Sequence, residues 1–144
     1  MADANIQIIG RVVNLSIADG DIANLPAKID TGAYISAIWA TKIKDKDGQL
    51  SYTLLGPKSP FYSGKQITTK DYKIVIIQNS FGHSETRYSV PLKVEIGGRK
   101  VKARFTLANR GLKSYPALIG RRLLNKRFLV DVSHGSPLAK SNWR

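Results

Sequence analysis

Apolar positions in this chain recur every second residue, most clearly from Val90 onward. Val90, Leu92, Val94 and Ile96 alternate with polar or breaking residues, Gly97-Gly98 turns the chain, and Val101, Ala103, Phe105 and Leu107 alternate back. Period two over two runs joined by a glycine pair predicts a β-hairpin with one apolar face. Its other face carries Lys93, Glu95, Lys100, Lys102 and Arg104. Upstream, 6–9 and 12–17 read as strands parted by Gly10-Arg11, 18–21 as a turn, and an apolar strand begins at Leu25. Residues 35–40 resume an extended pattern, and Asp47-Gly48 sits between 41–46 and 49–55 as a hairpin turn would. From Lys73 the short apolar run Ile74-Val75-Ile76-Ile77 predicts a strand buried on both faces, ended by 79–83. Near the end, an apolar strand at 117–119 breaks at Gly120-Arg121, a short helix begins near Arg121, and 128–132 forms a last strand. The expected class is all-β, a small closed barrel with one short helix near the C-terminus.

With 144 residues, of which 42% are hydrophobic, the chain suits one packed core. We expect a single domain over 1–144, its core about 6–133 and 134–144 a loose tail. No apolar run approaches the ~20 residues of a membrane span, and the N-terminus has neither a basic n-region nor a long apolar h-region. A protein without membrane association and with a cytoplasmic location is the expectation, although a mature exported form would look the same. There is no cysteine, which excludes disulfides and thiolate metal sites. Charge changes the picture more. Residues 1–84 carry 9 basic and 7 acidic side chains, net +2, whereas residues 85–144 carry 14 and 3, net +11. A field of one sign raises the local concentration of anions, so an acidic partner is expected.

The candidate chemistry lies at Asp30-Thr31-Gly32, where the apolar strand from Leu25 stops. A carboxylate at the tip of a tight turn, with a glycine that lets backbone N–H groups approach it, is how an aspartic peptidase holds its catalytic acid. That chemistry needs two carboxylates close enough to share a proton. The chain has a single Asp-Thr-Gly, so the economical solution is a homodimer in which each subunit supplies Asp30. The competing arrangement pairs Asp30 with Asp131, which ends the strand at 128–130 but lacks the following Thr-Gly and reads better as a turn residue.

Further blocks accompany the motif: 27–33 with Ser36, Ser84-Glu85-Thr86-Arg87, 105–110, Leu118-Ile119-Gly120-Arg121-Arg122, and Phe128-Leu129-Val130-Asp131. Together they resemble the RimK-associated, retropepsin-like peptidase family, whose customary label is ATP-dependent zinc protease. The resemblance implies an aspartic peptidase with Asp30, Thr31 and Gly32 as its catalytic loop, Thr31 hydrogen-bonding across the dimer axis. It implies a flap near 56–64, for which an ordinary surface loop is the plainer reading. In retropepsins the arginine at the position of Arg121 braces the catalytic loop through an acidic residue, but here that position is Tyr34. Arg121 therefore either finds another partner or receives a carboxylate from substrate. Arg87 and Arg110, in matching blocks, are candidates for an anion-binding cleft. The label's zinc and ATP find no support in the residues, which include neither a phosphate-binding Gly-Lys loop nor a His-Glu-x-x-His helix. His83 and Glu85 would supply at best two ligands where three are needed, so no metal or other cofactor is expected. The resemblance further implies a link to RimK-type glutamate ligases and an acidic peptide or poly-glutamate substrate, which the +11 half would attract. The alternative is a non-catalytic basic β-barrel that binds nucleic acid or acidic proteins. Its basic face lacks interleaved aromatics, which makes nucleic acid the weaker partner.

Overall fold

The computed structural model describes residues 5–79 and 81–135. In chain order the strands are β1 (Gln7–Ile9), β2 (Val12–Ile17), β3 (Ile22–Ile29), β4 (Ser36–Lys46), β5 (Gln49–Leu54) and β6 (Gln66–Thr69). They continue with β7 (Lys73–Gln78), β8 (Ser84–Ile96), β9 (Arg99–Ala108), β10 (Ala117–Ile119) and β11 (Phe128–Val130), and one helix, α1 (Arg121–Leu124), lies between the last two. The all-β class expected from the alternating pattern is the class found.

Nine strands form one sheet in the order β10-β3-β2-β8-β9-β4-β5-β6, with β7 on β8. Because β10 pairs with β3 on one side and with β4 on the other, β3, β2, β8, β9, β4 and β10 close into a ring. Leu15, Ile17, Leu25, Ile38, Leu92, Phe105 and Ile119 lie in its core without solvent contact. The β8–β9 hairpin has the register its alternation dictates, Val90 opposite Phe105 and Val94 opposite Val101, with Lys93 opposite Lys102 outside. Gly97 and Gly98 take φ of 57° and 77°, a pair that suits glycine and gives the turn whose twist matches the strands. A separate parallel ribbon joins β1 to β11, with Ile8 opposite Leu129.

Three expectations need correcting. β7 is not buried on both faces. It pairs with β8 alone, outside the ring, and Ile74 and Ile76 are exposed because no second layer among the described residues covers them. The 56–64 segment is an anchored loop: Phe61 and Tyr62 pack on the core, and the Ser63 hydroxyl donates to the Gly20 carbonyl at 2.6 Å. The projecting element is instead the β7–β8 hairpin, whose tip leaves Phe81 84% exposed. Finally, 134–135 are not loose, since Arg11 donates through its guanidinium to the carbonyls of Val132 and Gly135 and through its backbone to His134. The rest of the expected tail, 136–144, lies outside the described residues. Among those residues, no helix is long and apolar enough to cross a membrane.

Candidate active site

Asp30 follows β3 at the point where its parallel pairing with β10 ends. Its backbone N–H donates to the Ile119 carbonyl at 2.9 Å, so the neighbouring strand fixes the residue's position. One carboxylate oxygen, Oδ1, accepts the Gly32 N–H at 3.0 Å, and the Asp30 carbonyl accepts the Ala33 N–H at 3.2 Å. A Cβ at position 32 would stand 3.3 Å from that carboxylate oxygen, close enough to press on it, so glycine leaves the carboxylate its place.

The residues behind the loop lock it. The Gly120 N–H donates to the Ser36 hydroxyl at 3.0 Å in a buried setting. A Cβ on Gly120 would meet the Ile35 carbonyl carbon at 2.8 Å and the Ala33 oxygen at 2.9 Å, so the β10–α1 junction approaches the loop as only glycine allows. The first N–H groups of α1 are satisfied by the same loop, Arg121 donating to the Ala33 carbonyl and Arg122 to that of Tyr34. The Arg121 guanidinium donates to the Thr31 carbonyl at 3.0 Å and lies 5.8 Å from the centre of the Tyr34 ring. An aromatic face therefore takes the place of a carboxylate as its neighbour.

Arg110 is electrostatically linked to both Arg87 and Asp30. Arg110 lies in the loop after β9, half-buried, its Nε–H donating to the Tyr115 carbonyl at 3.0 Å. Burial first, then the positive charge of Arg87, lowers its pKa from the ordinary value, while the Asp30 carboxylate acts in the opposite direction. Asp30, Arg87 and Arg110 thus share one electrostatic neighbourhood, although they come from three separate parts of the chain. Arg87 donates through Nη2 to Glu85 Oε1 at 3.0 Å, whereas its Nε is buried with no hydrogen-bond partner among the described residues. The same contact holds the Glu85 carboxyl below its ordinary pKa.

Asp131 closes a local turn. Its Oδ1 accepts the Ser133 N–H at 2.9 Å and the Ser133 hydroxyl at 2.6 Å, and its Oδ2 lies 3.3 Å from His134 Nε2. These contacts, led by the Ser133 hydroxyl, lower its pKa. Among the described residues, no group of three or more His, Asp and Glu side chains is placed to hold a metal ion. Thr31 and Tyr34 line a groove of about 690 Å³ with Arg121, Leu124 and Leu129, running from the Asp-Thr-Gly loop to β11.

The model of the family described as RimB-like, "Retropepsin-like aspartic endopeptidase RimB", matches residues 8–137. The chain belongs to this family. Relatives from Shewanella halifaxensis and Shewanella pealeana, both named probable alpha-L-glutamate ligase, are 29% and 30% identical over 126 and 117 residues. The matched stretches are 82% and 76% of this chain but 27% and 25% of theirs, so the RimB-like chain spans about a quarter of these longer proteins. A crystal structure of a Legionella pneumophila protein of unknown function shares the fold, with a TM-score of 0.63 and 24% identity over 89% of this chain and 95% of that one.

Sequence reading of the RimB-like chain passed over three contributors to the site. Ser36 was visible only as part of a motif block, Tyr34 only as a departure from the retropepsin pattern, and Glu85 only as a poor metal ligand. The signal available for Glu85 was its spacing: two residues before Arg87 on a strand puts both side chains on one face.

Proposed function

We propose that this RimB-like chain is an aspartic peptidase that works as a homodimer and cleaves acidic peptides, glutamate runs above all. The observation that carries this reading is the Asp30 carboxylate held by the Gly32 N–H with Arg87 and Arg110 in its electrostatic neighbourhood. In the dimer, two Asp30 residues share one proton. The ionised carboxylate takes a proton from water as the oxygen attacks the scissile carbonyl carbon, and the protonated one gives its proton to the carbonyl oxygen. Collapse of the tetrahedral gem-diol breaks the C–N bond as a proton passes to the nitrogen. Thr31 joins the two catalytic loops across the axis. Arg121 braces the loop, and Arg87 and Arg110 receive substrate carboxylates, for which the planar guanidinium fork is suited.

Two further facts support an acidic substrate. The net charge of residues 85–144 is +11, and the relatives with a matching region are named for joining glutamate. A glutamate chain made by a RimK-type ligase is the substrate this reading favours, with the peptidase trimming or releasing it.

The test is cleavage of an α-linked oligo-glutamate by wild type and Asp30→Asn, followed by mass spectrometry with and without a chelator. Cleavage that survives the chelator and disappears in Asp30→Asn is the expected result. Cleavage abolished by the chelator would replace the aspartic mechanism, and binding to RNA that Asp30→Asn leaves unchanged, with no cleavage, would favour the non-catalytic alternative.

A further inference from the structure

A second groove, of about 650 Å³, lies at the end of β2, the start of β3 and the middle of the β8–β9 hairpin. It is remote from the Asp-Thr-Gly loop. Ala23 stands near the start of β3 and Asp30 just past its end, roughly 20 Å away at the rise of an extended strand. Ser16, Ala18 and Ala23 line the groove with short side chains where longer ones would fill it, and the Ser16 hydroxyl accepts the Asn24 N–H at 3.1 Å. The lining is mostly apolar. Its shape is also fixed. The turn at Ala18–Gly20 is tied to β8 by the Asp19 carboxylate, which accepts the Lys93 N–H at 2.7 Å, and to the 56–64 loop by the bond from Ser63 to the Gly20 carbonyl.

Charge of one sign dominates the same groove. Lys93, Lys100 and Lys102 line it, all exposed, and none of them has an ion pair among the described residues. Lys93 stands directly opposite Lys102, and like charges so placed weaken a sheet. Of the two carboxylates at the groove, Asp21 lies 3.5 Å from Lys65, which leaves Glu95 against three ammonium groups. We propose that this groove is a docking site, separate from the Asp30 site, for an extended segment of a partner protein in which acidic and apolar residues alternate. Such a segment turns its apolar side chains to the floor and its carboxylates to the rim, where lysine heads reach them on flexible stems. A carboxylate bound between Lys93 and Lys102 replaces their repulsion with two attractions. The lining holds no aromatic side chain on which the bases of a nucleic acid could stack.

The test follows the fluorescence anisotropy of a labelled octapeptide of alternating glutamate and leucine on Asp30→Asn protein, so that binding is read without cleavage. An exposed ion pair is worth up to about a five-fold change in affinity, so Lys93→Gln combined with Lys102→Gln should weaken binding by about five- to twentyfold. Removing the opposed charges should also raise the melting temperature, which separates lost binding from a damaged fold. Lys46→Gln combined with Lys58→Gln removes the same charge from exposed positions outside the groove and should leave the affinity nearly unchanged. An equal loss in that control overturns the proposal, because net charge alone would then hold the peptide. Serine in place of the leucines should weaken binding by about tenfold or more, and an unchanged affinity overturns the proposal too. So does a peptide that fails to bind, or an oligothymidylate that binds more tightly than the peptide and is lost in the groove variant.

Discussion

Ser36 illustrates how one hydroxyl holds the candidate catalytic loop in place. It lies at the start of β4, fully buried, and accepts the Gly120 N–H, so the strand that leaves the Asp-Thr-Gly loop is tied to the junction that braces it. Removing the acceptor leaves a buried N–H without a partner, which costs about 1–3 kcal/mol. Ser36→Ala should therefore lower the free energy of unfolding by about that amount, measured in urea, whereas Ser36→Thr keeps the acceptor. The same reasoning explains why Gly120 must be glycine: even a methyl group would push on the backbone at 33–35 and move Asp30 with it. Arg121 bonds to the Thr31 carbonyl of the loop that carries Asp30, whereas Arg87 bonds to the Glu85 carboxylate and Arg110 to the Tyr115 carbonyl.

At the scale of elements, the β7–β8 hairpin combines two features that seldom occur together on a surface. Its outward apolar residues Ile74, Ile76 and Phe81 lack a covering layer among the described residues, and its second strand carries Glu85 and Arg87. An apolar projection beside charged groups is suited to closing over a bound peptide, where its side chains would leave water. Phe81 contributes nothing to the core, so Phe81→Ser should change stability by no more than about 0.5 kcal/mol. The same substitution is expected to lower kcat/KM on an oligo-glutamate by about tenfold or more if the tip covers substrate. A variant that unfolds earlier but cleaves normally would assign the hairpin to stability instead.

At the scale of the whole molecule, a second set of exposed apolar positions lies at or beside the groove that leads from the Asp-Thr-Gly loop. Ile8 is 70% exposed and Leu129 59%, and they face each other in the β1–β11 ribbon, while Tyr34 is 59% exposed beside Arg121. Burying such residues against a second copy would bring two Thr31 loops together, as the shared-proton chemistry requires. Leu129→Asp places a charge in that contact without touching the core. It should leave a folded monomer by sedimentation and circular dichroism and abolish cleavage. A variant that stays dimeric and active would place the dimer interface elsewhere.

The sequence by itself determined the fold class, because alternation with a period of two can bury its apolar set only in a sheet, and glycine or Asp-Gly pairs at 97–98 and 47–48 left little freedom over where the hairpins turn. It also marked Asp30 as the candidate catalytic acid, since a carboxylate followed by Thr-Gly at a strand end is a local pattern. Tertiary structure decided what locality could not. An apolar run reads the same whether both faces are covered or one is open, which is why β7 was expected inside and lies outside. Whether 134–135 hang free or are held depended on Arg11, more than a hundred residues away in sequence. The electrostatic link of Arg110 to both Arg87 and Asp30, and the bond from Arg121 to the Thr31 carbonyl, arise only in the folded chain, because charges sense distance in space and not along the sequence.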